Sequence, residues 1–253
     1  MISIWAISGT IFTILIAIGL PITLLIVLKK KTGKGLLAAF VGAVCFVLSA
    51  LVLEQLLHSF VFSLVPAIRL MPALYVTYGC LAAGLFEETA RLIGLKLLCR
   101  KDKSAAIGFG YGIGHGGVEA ILVVGVLSVL NLAAMLGAQD LPAAQIAQIN
   151  TAPKYVFFMA GGERIFAIAL HLALSMLIWM VATKRLPFYF YFVSIGLHAL
   201  CNVAAALAQV GILKNMWLIE GYTGLVALFS CVLVWTLYKK TKPITAEIVE
   251  DSV

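Results

Sequence analysis

The sequence predicts an all-α, polytopic transmembrane helical bundle of about seven membrane-crossing helices, and three observations carry that expectation. Apolar residues make up 63% of the 253 positions and charged residues only 11%, whereas a soluble domain carries about 25% charged residues. Mean hydropathy is +1.10. Apolar runs of about twenty residues, long enough to cross a hydrocarbon core of about 30 Å as helices, recur along the whole chain. The formal net charge of +7 does not point to nucleic acid. The basic residues fall in short clusters at the ends of apolar runs, as topology signals do.

The first span, about 3–28, has no basic segment before it and is longer than the apolar core of a signal peptide, so it reads as a retained helix. The second and third are expected over about 35–57 and 72–99. The fourth, 104–136, exceeds a straight crossing and predicts a tilt or an interfacial end. The remaining three fall over 155–183, 187–210 and 216–238, and the longest polar connection, Gly137 to Lys154, precedes them. Thirteen Lys and Arg lie on one side, clustered near Lys29, Arg100, Lys184 and Lys239, against Arg69, Lys154 and Lys214 on the other. That asymmetry predicts an N-terminus outside and a C-terminus in the cytoplasm. The expected organisation is one transmembrane helical domain over 1–242 and a short acidic cytoplasmic tail over 243–253. Cys45, Cys80, Cys99, Cys201 and Cys231 show no CxxC spacing and read as small apolar fillers.

Against this background the charged residues inside the spans stand out. Glu87 and Glu88 are adjacent within the third span, and Arg91 follows one turn later. Each such group costs roughly 2.5–3.5 kcal/mol to insert, so together they mark a functional site by default. Arg91 stands at i+4 from Glu87 and i+3 from Glu88, close enough to hold one carboxylate while the other faces a water. His115, His171 and His198 occupy three later spans. Counted from the cytoplasmic ends, Glu87 and the three histidines all lie 11 or 12 residues in, a depth of roughly 16–18 Å. Four helices therefore converge on one layer.

His115 sits in a glycine-rich segment, Gly108-Phe109-Gly110-Tyr111-Gly112-Ile113-Gly114-His115-Gly116-Gly117. A helix with so little side-chain bulk lets neighbouring backbones approach and can clear space around the imidazole. Glu119, at i+4, is expected to orient His115. His198 and Asn202 are one turn apart and can both donate to a developing oxyanion. His171 shares a face with Arg164 and is a supporting candidate, whereas Glu163 and Arg164 are expected to pair with each other. Glu54 and His58, near the outer end of the second span, read as interfacial.

Glu87-Glu88-x-x-Arg91, then Tyr111-x-x-x-His115, then His198-x-x-x-Asn202 resembles the three-motif signature of the CPBP superfamily of intramembrane proteases, which includes the type II CAAX prenyl endopeptidases. The expanded glycine motif with Gly161-Gly162-Glu163-Arg164 and the later histidine resembles its YhfC branch. The resemblance implies peptide hydrolysis in the plasma membrane of a prokaryote. Glu87 and His115 would activate a water, Glu88 and Arg91 would support that carboxylate, and His198 and Asn202 would hold the oxyanion. Tyr111 stands where the family often has Phe. No cofactor is expected on this reading; zinc is the alternative, since members of the branch are often described as metalloproteases, but there is no HExxH here. The expected partners are the lipid bilayer and a peptide or membrane-protein substrate. Two other classes fit the same residues: a transporter with a buried polar pathway, and a non-catalytic scaffold subunit.

Overall fold

The structure is a computed structural model that describes residues 2–137 and 141–241. The acidic tail expected over 243–253 lies outside the described residues. Seven long helical rods follow one another among the described residues: α1 Ile4–Thr32, α2 Leu36–Leu64, α3 Pro72–Leu98, α4 Ala105–Met135, α6 Val156–Ala182, α7 Phe190–Gln209 and α8 Met216–Lys240. Between α4 and α6 lies α5, Ala143–Thr151, a short helix where the sequence suggested only a polar connection. It ties down the start of the chain: the Ser3 amide donates to Asn150 Oδ1 at 2.8 Å.

Six of the rods are long and apolar enough to cross a membrane. The seventh, α3, has 27 residues, about 40 Å at helical rise, and so has the length. What it lacks is apolarity, because it carries Glu87, Glu88 and Arg91. The groups that make the site are the ones that depress its hydropathy. Those three side chains are all buried, turned away from the outer surface of the bundle by the packing of α3 against α2, α6 and α7.

α6 is the axis of the bundle. In its most apolar stretch 72% of residues are buried, against 17% in α1. It packs on α1, α3, α4, α7 and α8, and its Leu174, Leu177, Ile178 and Trp179 form the largest core cluster with Leu95 and Tyr111. The glycines of α4 explain how α2 and α6 both come so close. On one face a Cβ at Gly116 would fall 2.8 Å from His171 Cβ, and one at Gly108 an equal distance from Met176 Sδ. On the other face, a Cβ at Gly114 would collide with the Ala39 carbonyl of α2. Two smooth sides on one helix let two helices reach it at backbone distance.

Three rods contain a wider π-helical turn, over Leu15–Gly19, Val47–Leu53 and Ala120–Gly125. The first precedes Pro21, which has no N–H to donate to the carbonyl of the preceding turn and whose ring clashes with it. The second ends just before Glu54 and the third begins just after Glu119. An extra residue in a turn rotates the rest of the helix about its axis, and such turns recur at functional sites. The long fourth rod expected from the sequence is therefore continuous, with its irregular turn in the middle. Among the described residues all five cysteines are free.

Candidate active site

α2, α3, α4, α6, α7 and α8 all line a polar cavity of about 740 Å³. Gly84 is where α3 and α7 come into contact, since a Cβ there would lie 2.8 Å from the Ile195 carbonyl oxygen. That approach brings the acidic pair against α7. The two glutamates then diverge around their helix. Glu87 turns to His115, with Oε2 2.8 Å from Nε2. Its other oxygen lies 3.6 Å from His198 Nε2. Glu88 turns to α7: its Oε1 is 2.9 Å from His198 Nδ1, and Ser194 donates to its Oε2 at 2.6 Å.

Arg91 pairs with Glu88, at 3.3 Å, and not with Glu87. Its other donors reach α6, where Nη1 donates to the His171 carbonyl at 2.8 Å and to Ser175 Oγ at 2.7 Å. Nη2 lies 3.0 Å from His171 Nδ1. A guanidinium only donates, so Nδ1 accepts, and the proton of a neutral His171 is on Nε2. That nitrogen faces Glu119 Oε2 at 2.5 Å. Glu119 also receives Arg164 Nη1 at 2.8 Å, and Arg164 closes on Glu163 with two further donors.

The structure thus brings Glu87, Glu88, Arg91, His115, His171 and His198 into one connected group. The His115 and His171 rings are 5.0 Å apart, and the His171 and His198 rings 5.5 Å. Asn202, one turn beyond His198, lines the same cavity. Tyr111 is fully buried and stacks at 5.9 Å on His115, while Phe46 meets that ring edge-on at 5.3 Å.

Three sequence-based assignments change. Glu119 orients His171 and not His115: the helical i+4 neighbour loses to an interhelical partner, because the glycine faces of α4 bring α6 within reach. Arg164 likewise joins Glu119 as well as Glu163, so the expected isolated pair is a triad. Glu54, placed at the outer edge by its sequence position, is buried and lines the same cavity as Glu87 and His198. The signal for it was a carboxylate inside an apolar run, which marks function by default. Ser175 and Ser194 had no such signal, since a serine within a membrane helix is ordinary.

The donor set is suited to a divalent cation. Glu87, His115 and His171 each offer a ligand atom, and these atoms lie within 4.8 Å of one another. Two imidazoles and a carboxylate form a protein ligand set used at catalytic zinc. Fully buried His115 Nδ1 has no hydrogen-bond partner among the described residues; with the proton on Nε2 facing Glu87, Nδ1 keeps a lone pair its surroundings do not use. Six carboxylates, Glu54, Glu87, Glu88, Glu119, Glu163 and Glu220, face two guanidiniums in and behind the cavity. The resulting excess of negative charge favours bound protons or a cation.

Comparison with known proteins identifies the family. A family model described as YhfC intramembrane metalloprotease matches residues 13–223. A Bacillus subtilis (strain 168) protein described as "Uncharacterized membrane protein YhfC" is 34% identical over 242 residues, covering 89% of this chain and 92% of the relative. No solved structure matches. The chain is an integral membrane protein with a buried Glu/His/Arg centre, and it belongs to the YhfC intramembrane metalloprotease family.

Proposed function

We propose that the chain is an intramembrane endopeptidase of the plasma membrane, cutting peptide or membrane-protein substrates at this cavity. The observation that carries this reading is the contact of Glu87 with buried His115 at the wall of a polar cavity that Glu87, His198 and Asn202 line. The basic clusters support an N-terminus outside and a C-terminus in the cytoplasm.

The chain's own groups suffice for the proton steps. Glu87 and His115 hold a water beside the scissile carbonyl. As the water oxygen bonds to the carbonyl carbon, Glu87 takes its proton. Glu88 accepts from His198 Nδ1 and stabilises a cationic imidazole, leaving Nε2–H for the developing oxyanion. Asn202 supplies the second donor, and donors fixed in a dry site contribute most. The C–N bond then breaks, and Glu87 returns the proton to the leaving amine. Arg91 positions both halves, holding Glu88 on α3 and His171 on α6.

Glu87, His115 and His171 would hold a divalent metal. When bound, such an ion supplies Lewis acidity and lowers the pKa of a coordinated water. Under that occupancy His171 would bind through Nδ1, releasing Arg91 Nη2, and Glu119 would set its orientation through Nε2, as carboxylate partners of metal-binding histidines do.

The test is cleavage of a membrane-peptide reporter by protein reconstituted in vesicles. Glu87→Gln is expected to lose about a hundredfold to ten-thousandfold in rate while its thermal midpoint stays within a few degrees of the parent. Cleavage at parental rates by that variant would overturn the proposal. Metal content settles the second point: His171→Ala is expected to lose the bound metal, and a metal-stripped parent that keeps full activity would assign the chemistry to the glutamate alone.

A further inference from the structure

The main cavity shares lining residues with two other hollows, and their walls differ in kind. Towards α6 and α8 it shares Glu220 with a groove walled by Met159, Phe166, Trp217, Leu225 and Leu228. Trp217, Leu225 and Leu228 are exposed there, so in a membrane this opening faces lipid. Towards the ends of α2, α3 and α7 the cavity shares Glu54, Asn202 and Gln209 with a chamber of about 300 Å³. His58, Tyr75 and Tyr78 complete much of its wall. This second opening lies at the end of the bundle opposite the lysine-rich helix ends, and Gln209 at its edge is exposed.

The polar wall of the chamber is fixed in place. Tyr78 Oη is 2.8 Å from His58 Nδ1, and His58 Nε2 is 3.2 Å from Glu54 Oε1. Tyr78 and His58 are half-buried, whereas Glu54, at the junction with the main cavity, is 6% exposed. A hydrogen-bonded series therefore runs inward from the rim. Phe62 stacks on Tyr75 at 5.8 Å and meets Tyr78 edge-on at 5.6 Å, and Arg69 lies 4.6 Å over the Phe62 ring. These contacts brace the mouth on its apolar side. Nothing in the proposed chemistry uses Glu54, His58 or Tyr78, and intramembrane ionisable groups of this kind mark a functional site by default.

We propose that this chamber is the route by which water reaches the main cavity, with Glu54 at the neck between the two. Hydrolysis consumes one water per bond cut, and Glu87 and His115 are both buried. The groove beside α8 is apolar and supplies lipid-borne groups, not water. The chamber has room for several waters and offers each the polar neighbours that a buried water needs. The link to catalysis rests on the endopeptidase reading, but the route itself can be tested without it.

Cys201 lines the main cavity beyond the neck, and Ala206 lines the chamber. In a protein whose other four cysteines are replaced by alanine, a charged methanethiosulfonate reagent added to reconstituted vesicles reports whether Cys201 is reached through water. Ala206→Trp, which fills the chamber, is expected to slow modification at least tenfold, and Ala206→Leu by a smaller factor. Leu228→Trp, in the apolar groove, is expected to leave the rate unchanged. The proposal is overturned if neither Ala206 substitution slows the reaction, or if Leu228→Trp slows it more than Ala206→Trp does. In the cleavage assay Ala206→Trp should lower kcat and leave KM in place. Blocked labelling in a protein that cuts nothing would uphold the route and reject the endopeptidase.

Discussion

Arg91 holds one edge of the His171 imidazole directly and Arg164 acts on the other through Glu119, and the two guanidiniums are satisfied in opposite ways. Arg91 meets a single carboxylate, Glu88, and otherwise donates to neutral groups: the His171 carbonyl, Ser175 Oγ and His171 Nδ1. Arg164 is gripped by two carboxylates, Glu119 and Glu163, and acts on His171 only through Glu119. The first fastens α3 to α6 with directional hydrogen bonds. The second neutralises acid at the rim of the cavity. A buried cation can thus serve assembly or local charge balance, and its partners tell which.

The largest effect should come from breaking the Arg91 fastening. Arg91→Leu leaves Glu88 buried without its guanidinium and is expected to cost on the order of 3–5 kcal/mol, seen as loss of folded protein in detergent. Arg91→Lys keeps the charge but not the forked geometry, so it should fold with a lowered thermal midpoint and reduced cleavage. Equal stability of Arg91→Lys and the parent would show that charge alone matters there.

An intermediate effect is expected at Arg164. Arg164→Gln frees Glu119 and Glu163 from their counter-charge without disturbing the α3–α6 contact. The expected result is a tenfold to hundredfold loss in activity or metal affinity with a smaller stability loss than Arg91→Leu. If Arg164→Gln unfolds the protein as readily, the contrast between the two guanidiniums collapses.

The smallest effect lies outside the spans. Lys34 Nζ is 2.7 Å from Asp102 Oδ2, and Asp102 Oδ1 accepts the Ser104 amide at the start of α4. The Lys34 hydrogen bond, helped by that amide, holds the Asp102 carboxyl below the usual carboxylate range. A lowered folded pKa means that the contribution is present above the ordinary aspartate value of about 3.9 and fades as pH falls through the folded value. Both groups are partly exposed, so Asp102→Asn should cost no more than about 1 kcal/mol at neutral pH. Thermal unfolding of parent and variant should converge on acidification, and a gap that persists at low pH would refute the assignment.

How much of this was legible beforehand differs residue by residue. The seven rods follow the apolar runs closely, because a helix that must cross hydrocarbon leaves a contiguous signature that packing does not erase. Glu87, Glu88, Arg91, His115 and His198 declared themselves by their cost in such runs. His171 was only half visible, since its role depends on Arg91 and Glu119 from two other helices. Glu54 was visible as a charge but misplaced, because the π-helical turn at Val47–Leu53 resets the face on which it emerges. Ser194 and Ser175 become meaningful only once Glu88 and Arg91 lie against them.

The sequence by itself determined an all-helical membrane protein, the order and extent of its rods, and the identity of the polar residues sharing one depth. Hydropathy, helical rise and the penalty for buried charge are local properties that a linear chain records. Tertiary structure alone decided the pairing: Glu87 with His115, Glu88 with His198, and Glu119 with His171. Those choices depend on which backbones approach within a few ångströms, and the glycine faces of α4 and the Gly84 contact set that distance.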